Sequence, residues 1–171
     1  GTFSDLQDNV IKNLFKLYPW EWMMQDEFGL SVLNNKTRFI EPAWKTILSN
    51  KALMVLLWKM FPEHPNLLET YFAEDKTATN LQKFVKKPLF SREGANVTIH
   101  YNNQPQEHVQ GPYGAEGYII QNYKPLAKFG ENHTVIGSWL VASQPCGIGL
   151  REDKSAITQD SSRFIPHVIR D

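Results

Sequence analysis

The chain has 171 residues, and its 18 lysines and arginines balance its 18 aspartates and glutamates, so its net charge is zero. That length suits one domain of ordinary size, and a hydrophobic fraction of 42% is enough to bury a core. The balanced charge argues against a nucleic-acid partner, which usually requires a basic excess on one face. It leaves room for a local basic pocket that holds a small anion.

The cysteine count and the length of the apolar runs limit where in the cell the protein is expected to be. Cys146 is the only cysteine, so an internal disulfide is excluded and a reducing, cytoplasmic compartment is the simplest expectation. The first ten residues lack the basic and apolar regions of a signal peptide. The longest apolar run, residues 52–58, ends at Lys59 and is too short to cross a bilayer. We therefore expect no membrane association.

The first third of the chain predicts short elements. Apolar residues in 5–16 are spaced for either a helix or a short strand that approaches a turn. Residues 20–33 are predicted to form a helix, 34–37 a turn, and 38–40 a short strand that stops before Pro42.

The middle of the chain predicts a helix and then a hairpin. Residues 43–60 have an apolar side, with a break near Ser49-Asn50, and the prolines that follow end the helix. Residues 66–72 fit a turn or an extended segment. Two alternating runs between 84 and 101 predict two strands joined by the polar loop 91–95.

The last third predicts strands. Residues 104–114 are predicted to be an exposed loop, and 117–121 and 134–142 buried strands. A turn at 145–147 precedes a further strand at 148–150. Helices first and mainly antiparallel strands afterwards predict an α+β fold.

A small loop, Ser91–Asn96, is the first candidate binding element. Its glycine allows backbone N–H groups to approach phosphate oxygens, and Arg92 adds a charged fork. The spacing of a P-loop is absent. A plain hairpin loop with a solvated arginine is the alternative interpretation.

Three further stretches of chain carry candidate cations. Lys86 and Lys87 point to opposite faces of their strand, so one of them can enter a cleft and neutralise a phosphate. Lys51 stands at the start of a helix, where a cation is slightly unfavourable. Arg151 ends a strand, from which it can stabilise a phosphoryl group during transfer. The alternatives are solvated lysines and, for Arg151, a surface ion-pair cluster with the two acids that follow it. The five histidines have no metal spacing, so no metal ligand is assigned.

Taken in order, five segments resemble one family. They read LYPWEWM, RFIEPAWKTILSNKALMVLLWKMFPEHPNLLETYF, VKKPLFSREGANV, GYIIQNYKPL and VIGSWLVASQPCGIGLREDKSAIT. Together they resemble the C-terminal portion of glutathionylspermidine synthase and its single-domain relatives among the acid–amine ligases, over nearly the whole chain.

The resemblance implies an ATP-grasp fold and an ATP-dependent ligase that joins a carboxylate, such as that of glutathione, to an amine, such as spermidine. ATP phosphorylates the carboxylate, and the amine attacks the acyl phosphate. The partners implied are therefore small-molecule acid and amine substrates. The implied ATP-binding residues are Lys51, Lys87, Arg92, Gly94, Gln121, Ala156, Ile157 and Thr158. Arg151 matches the catalytic arginine, and Glu21 and Trp22 fall near the acid-substrate pocket.

Some positions depart from the family pattern. Glu93 replaces a small residue in the loop, Glu152 replaces a glycine, and Val135 replaces a nucleotide-contacting glutamine. These changes favour the single-domain relatives over the synthase itself, which leaves the two substrates open. The family's Arg-x-Asp and acid/Asn pair that hold Mg²⁺ come earlier than this chain, so the Mg²⁺ ligands are expected outside it.

Within 1–171 the resemblance implies a C-terminal portion in three parts, with the N-terminal metal-binding part lacking. They are a substrate-side segment at 1–45, a first nucleotide-binding lobe at 46–100 and a second lobe at 115–171. The chain alone is then expected not to catalyse ligation. A non-catalytic nucleotide-binding module and a purely structural domain are the alternative functions.

Overall fold

A computed structural model describes residues 2–169, which fall into two compact units that divide between Leu53 and Met54. Gly1, Arg170 and Asp171, which belong to the predicted domain, lie outside the described residues. The α-helices end by Met60 and the two antiparallel sheets follow, so the predicted α+β class is confirmed. The three-part division of the chain stays a prediction. None of the helices in 2–169 is both long and apolar enough to cross a membrane.

The first unit is built on two parallel strands, β1 (Asn13–Phe15) and β2 (Arg38–Ile40). Between them lie α1 (Trp20–Met23) and a 3-10 helix, Gly29–Asn34. The single helix predicted over 20–33 is therefore wrong, because the chain turns repeatedly between these two short pieces. The strand alternative for the 5–16 segment is confirmed by β1.

An aromatic cluster and a buried lysine hold this unit together. Trp20 is 4% exposed, and its ring centroid lies 4.9 Å from that of Phe39. The Lys16 ammonium lies 4.3 Å from the centre of the Trp20 ring and donates to the Tyr18 carbonyl at 3.0 Å. Its contact with a Glu41 carboxylate oxygen at 3.4 Å balances the charge that burial would otherwise penalise.

The predicted helix over 43–60 forms in three pieces. A 3-10 turn, Ala43–Lys45, leads into α2 (Thr46–Ser49), and α3 spans Ala52–Met60. The break falls at the predicted place, because Asn50 leaves the helical conformation and its side-chain oxygen accepts the Ala52 N–H at 2.8 Å. Asn50 thus caps α3 at its start.

The larger sheet of the second unit has five antiparallel strands in the order β3-β7-β4-β5-β6. Their bounds are β3 Thr70–Phe72, β4 Lys83–Pro88, β5 Thr98–Tyr101, β6 Gln104–His108 and β7 Tyr118–Asn122. The exposed loop predicted over 104–114 is wrong in its first half. Asn102 and Asn103 both adopt positive φ, and this tight turn sends the chain straight back as β6.

The smaller sheet has the order β11-β10-β9-β8. Its strands are β8 Ala127–Phe129, β9 Asn132–Val141, β10 Gln144–Asp153 and β11 Arg163–Ile165. The turn predicted at 145–147 is wrong. Ala142 and Ser143, both at positive φ, make the hairpin turn, whereas 145–147 is an irregularity within β10.

The segment after β10 packs on the larger sheet. Ile157 is buried against Val97 and Ile99, with Val85 and Tyr123 beside them. The Ser155 hydroxyl donates to Glu107 of β6 at 2.5 Å. This contact fixes the smaller sheet against the larger one.

A second set of hydrogen bonds fixes the return to β11 and generates a prediction. The buried Ser162 hydroxyl donates to Asp153 at 2.6 Å and accepts the Gln159 N–H at 2.8 Å. The Ser162 hydrogen bond is the main reason that the pKa of Asp153 is lowered. We expect Ser162→Ala to reduce the free energy of unfolding at neutral pH by about 1–2 kcal/mol in urea titrations.

The pH dependence of this loss follows from the sign of the shift. A lowered pKa in the folded state adds stability above the ordinary aspartate pKa of about 3.9 and loses it as pH falls through the lowered value. The difference between the two proteins should therefore shrink below about pH 4. The exposed neighbour supplies the control, since Ser161→Ala should change stability by less than about 0.5 kcal/mol. Equal losses for both variants would contradict the assignment.

Candidate functional site

One face of the larger sheet carries a buried polar chain. The Lys87 ammonium on β4 donates to the Gln121 side-chain oxygen on β7 at 2.7 Å. The Gln121 amide donates to the Thr70 hydroxyl at 3.0 Å, and Thr70 donates to the Leu68 carbonyl at 2.7 Å. Lys87 and Gln121 are diagonal neighbours, because Val85 pairs with Gln121 in the strand register. Two predicted ATP-binding residues are thus in direct contact.

Burial sets the electrostatics of Lys87. It lowers the pKa of the Lys87 ammonium below its ordinary value, because the charged form loses water. Its acceptor among the described residues is a neutral amide oxygen, which orients the ammonium but does not balance its charge. A cation held in this way is suited to an anion that brings the missing charge.

Lys86 shows what the other face of the same strand does. Its ammonium lies 4.5 Å from the centre of the Tyr118 ring. On that face His100 stacks on Phe84 with ring centroids 4.7 Å apart, and burial followed by the Lys86 charge lowers the pKa of His100. The predicted division of the two lysines between opposite faces is confirmed by the strand register.

The loop after β4 contacts the segment that follows β10. Gly94 has φ +75°, and a Cβ placed on it would lie 2.6 Å from the Thr158 carbonyl oxygen and 2.8 Å from Ile157 Cγ2. Only glycine accommodates this approach. Three predicted ATP-binding residues, Gly94, Ile157 and Thr158, therefore adjoin one another. Arg92 and Glu93 are exposed on the same loop.

The stretch from Ala156 to Thr158 lies over the lysine face. Ile157 is in one apolar cluster with Ile99, and Ile99 pairs with Val85, which stands two residues before Lys87 on the same side of β4. The structure thus brings Lys87, Gln121, Gly94 and residues 156–158 to one side of the larger sheet.

Arg151 lies on the smaller sheet, opposite Val135 of β9. Its guanidinium carbon is 5.7 Å from the centre of the Phe164 ring. The two neighbouring acids have other partners: Glu152 pairs with Arg163 at 2.5 Å, and Asp153 accepts from Ser162. The alternative interpretation, in which Arg151 forms a surface ion-pair cluster with these two acids, is therefore not supported by their contacts.

Two paired glycines lie beside Arg151 on the same face of the hairpin. Gly137 pairs with Gly149, two residues before Arg151 on β10, and a Cβ on either one would have no neighbouring atom closer than 3.7 Å. Open backbone beside a cation allows a ligand to approach closely. Glu152, one of the departures from the family pattern, lies on the opposite face because side chains alternate along a strand.

The remaining predicted residues belong to the first unit. Lys51 directly precedes α3 and is half-buried, as the sequence placed it. Glu21 is buried in α1, and Trp22 beside it is 40% exposed. Their meeting with the residues of the second unit stays a prediction.

The described residues do not fit a magnesium site. Within 2–169 no group of three or more histidine, cysteine, aspartate or glutamate side chains comes together to hold a metal ion. No step is therefore assigned to Mg²⁺ in this chain.

A cavity of about 330 Å³ opens beside the site rather than at Lys87. Among the predicted residues, Ala156 alone reaches it within the described part of the chain. The Lys83 ammonium at its wall lies 3.9 Å from the centre of the Tyr123 ring. The cavity is lined by Lys83, Ile99, Tyr101, Gln106, Glu107, Tyr123 and Ala156.

Two residues of the site were not found from the sequence. Thr70 supports Gln121 from 51 positions away, and Ser155 anchors its segment on Glu107, 48 positions away. Hydroxyl residues in strands or loops carry no local signal of such distant partners, so spacing alone does not find them.

The chain is thus an α+β protein with a buried lysine and a glycine-containing loop on one face of its larger sheet. The sequence model described as "Glutathionylspermidine synthase preATP-grasp" matches residues 1–170. The chain belongs to the glutathionylspermidine synthase family.

Individual relatives agree with this assignment. A protein of Haemophilus influenzae named "Putative acid--amine ligase" is 47% identical over 171 residues, covering 96% of this chain and 44% of the relative. Trypanothione synthetase of Crithidia fasciculata is 29% identical, covering 96% and 28% respectively. The bifunctional glutathionylspermidine synthetase/amidase of Escherichia coli is 25% identical, covering 81% and 22%. The chain thus spans less than half the length of these relatives.

The contact between Gly94 and Thr158 generates a second prediction. We expect Gly94→Ala to lower the free energy of unfolding by about 2 kcal/mol or more, because it adds a steric clash to the cost of positive φ. Gly130→Ala is the matched control, since Gly130 also has positive φ but nothing lies near its added Cβ. It should cost only about 1–2 kcal/mol. Thermal and urea unfolding of both variants would measure the difference, and a Gly94 variant as stable as the Gly130 variant would contradict the close approach.

Proposed function

We propose that this chain is the nucleotide-binding portion of an ATP-dependent ligase that joins a carboxylate to an amine. The observation that carries the proposal is the buried Lys87 ammonium, whose acceptor in the chain is the neutral Gln121 amide. Family membership and the names of the relatives support the ligase class. An ATP-grasp fold is part of the proposal.

In the proposed reaction, a carboxylate oxygen of the acid attacks the γ-phosphorus of ATP. The bond to the β,γ-bridging oxygen breaks, ADP leaves and an acyl phosphate forms. The amine nitrogen then attacks the acyl carbon, phosphate leaves with the C–O electron pair, and the nitrogen loses a proton. The acid is glutathione-like and the amine spermidine-like.

Each residue of the second unit has a proposed role. Lys87 neutralises the nucleotide phosphates, and Gln121 meets the adenine while it holds the Lys87 ammonium in place. Gly94 allows its loop to lie over the phosphates with Arg92 beside them. Arg151 stabilises charge on the phosphoryl group during transfer, as a positioned guanidinium does. Residues 156–158 line the nucleotide.

The first unit supplies the rest of the proposed site. Lys51 is the second phosphate-binding lysine, and Glu21 and Trp22 border the acid substrate. Mg²⁺ is held by residues outside this chain. We therefore propose that the chain alone binds nucleotide without catalysing ligation.

The two adjacent lysines of β4 test the nucleotide site. We expect Lys87→Met to weaken ATP binding by about ten- to a hundredfold in calorimetric titration, because a charge-assisted contact with phosphate is lost. Lys86→Met is the matched control, since it removes the same charge from the opposite face, and should change the affinity by less than about twofold. Equal affinities for the two variants would remove Lys87 from the site.

The lowered pKa of Lys87 predicts how affinity depends on pH. Free Lys87 loses its proton at a lower pH than an ordinary lysine, whose pKa is about 10.4. ATP affinity should therefore begin to fall below that pH, because only the ammonium form attracts phosphate. Lys87→Arg should bind ATP with a flatter profile up to about pH 9.5, since a guanidinium stays charged throughout. Parallel profiles for the two proteins would show that another group causes the fall.

A further inference from the structure

The hairpin of β9 and β10 extends beyond its own sheet. β8 pairs with β9 only at 132–134, and β11 pairs with β10 only at 150–152. The tip ribbon, residues 135–141 and 144–149, is paired only with itself in the part of the chain that the structure describes. Both of its outer backbone edges are therefore free. An isolated two-stranded ribbon of this kind is marginal in water.

The ribbon lacks the charged residues that solvent-exposed strands normally carry. From Thr134 to Leu150 there is no aspartate, glutamate, lysine, arginine or histidine. Strands that stay at the edge of a sheet in solution are normally protected by charges, prolines or bulges. Pro145 and the bulge at 145–147 protect only one edge, near the turn. The rest of the ribbon has the composition of strands inside a larger sheet.

Large apolar side chains are exposed on the face turned away from Arg151. Ile136 and Leu140 are both 66% exposed, and Ile148 between them on the neighbouring strand is 41% exposed. Leu150 and Ile165 extend this patch toward the base of the hairpin. The opposite face is the one with the glycine pair and Arg151, so the two faces serve different purposes.

We propose that the tip ribbon is the docking surface for the remainder of the ligase fold, through its apolar face and its free edges. The occupant is the portion represented in the Haemophilus influenzae relative outside the matched region, since this chain covers 44% of that protein. The inference rests on the proposed function, because it makes the ribbon the join between the nucleotide-binding portion and its complement. It adds Ile136, Leu140 and Ile148 as the contact residues.

Binding between the two portions tests the inference. The probe is the part of the Haemophilus influenzae relative outside the match, expressed separately and titrated with this chain. We expect a 1:1 complex in analytical ultracentrifugation, and Leu140→Lys should weaken it at least tenfold by placing a charge in an apolar contact. Met60→Lys is the matched control, because Met60 is also 66% exposed but lies on α3, and it should change the affinity by less than twofold.

Three results would overturn the inference. They are the absence of a complex between two folded partners, a complex that Leu140→Lys leaves unchanged, and a dimer of this chain alone that Leu140→Lys dissociates. The last would assign the ribbon to a second copy. Circular dichroism of each variant verifies that it is folded.

A single polypeptide that joins the probe to this chain covers the case in which the probe does not fold alone. Amides of 135–149 should then exchange at least tenfold more slowly with deuterium than in this chain by itself. Unchanged exchange would count against the ribbon as the docking surface. ATP titration of the chain alone, with Lys87→Met, separates the two proposals: docking can fail while Lys87-dependent binding persists, and the reverse.

Discussion

The burial of Ile157 on the larger sheet is the contact on which the rest of the second unit depends. It sets the segment after β10 over Val85 and Ile99, and Ser155 adds a hydrogen bond to Glu107. Because Gly94 meets Ile157 and Thr158, the loop after β4 takes its position from the same contact. One small apolar cluster thus aligns a lysine strand, a glycine loop and the base of the second sheet, which a small sheet alone would not hold together.

Lys87 is a buried cation whose charge is not balanced by its hydrogen-bond acceptor, Gln121. Burying an ammonium beside a neutral amide disfavours the charged form, and the lowered pKa is the sign of that cost. In the proposed nucleotide site, a bound phosphate would restore the stabilisation that the Lys87 ammonium loses on burial. Lys16 in the first unit is the contrasting case: its contact with Glu41 balances its charge within the chain, and its role is structural.

The hairpin of β9 and β10 has two different faces because side chains alternate along its strands. One face carries Arg151 beside the Gly137–Gly149 pair, which has no side chains of its own. The other face carries Ile136 and Leu140 without any charge nearby in sequence. An uncharged ribbon with one exposed apolar face has the composition of strands inside a larger assembly, which agrees with a chain that spans less than half of its relatives.

The sequence by itself determined the α+β class, the break at Asn50, and the opposite facing of Lys86 and Lys87, because these depend on local spacing, capping and the two-residue period of a strand. It also identified the family, because five characteristic segments follow one another in the family's order. It misplaced β6 although Asn102-Asn103 is a recognised turn signal. It misplaced the β9–β10 turn because alanine at positive φ is a weak signal beside the proline and glycine that follow. Only the tertiary structure decided that Gln121 contacts Lys87, that Thr70 supports Gln121 and that Gly94 adjoins Thr158. These contacts join residues 34 to 64 positions apart, where strand pairing and packing rather than local sequence fix the neighbours.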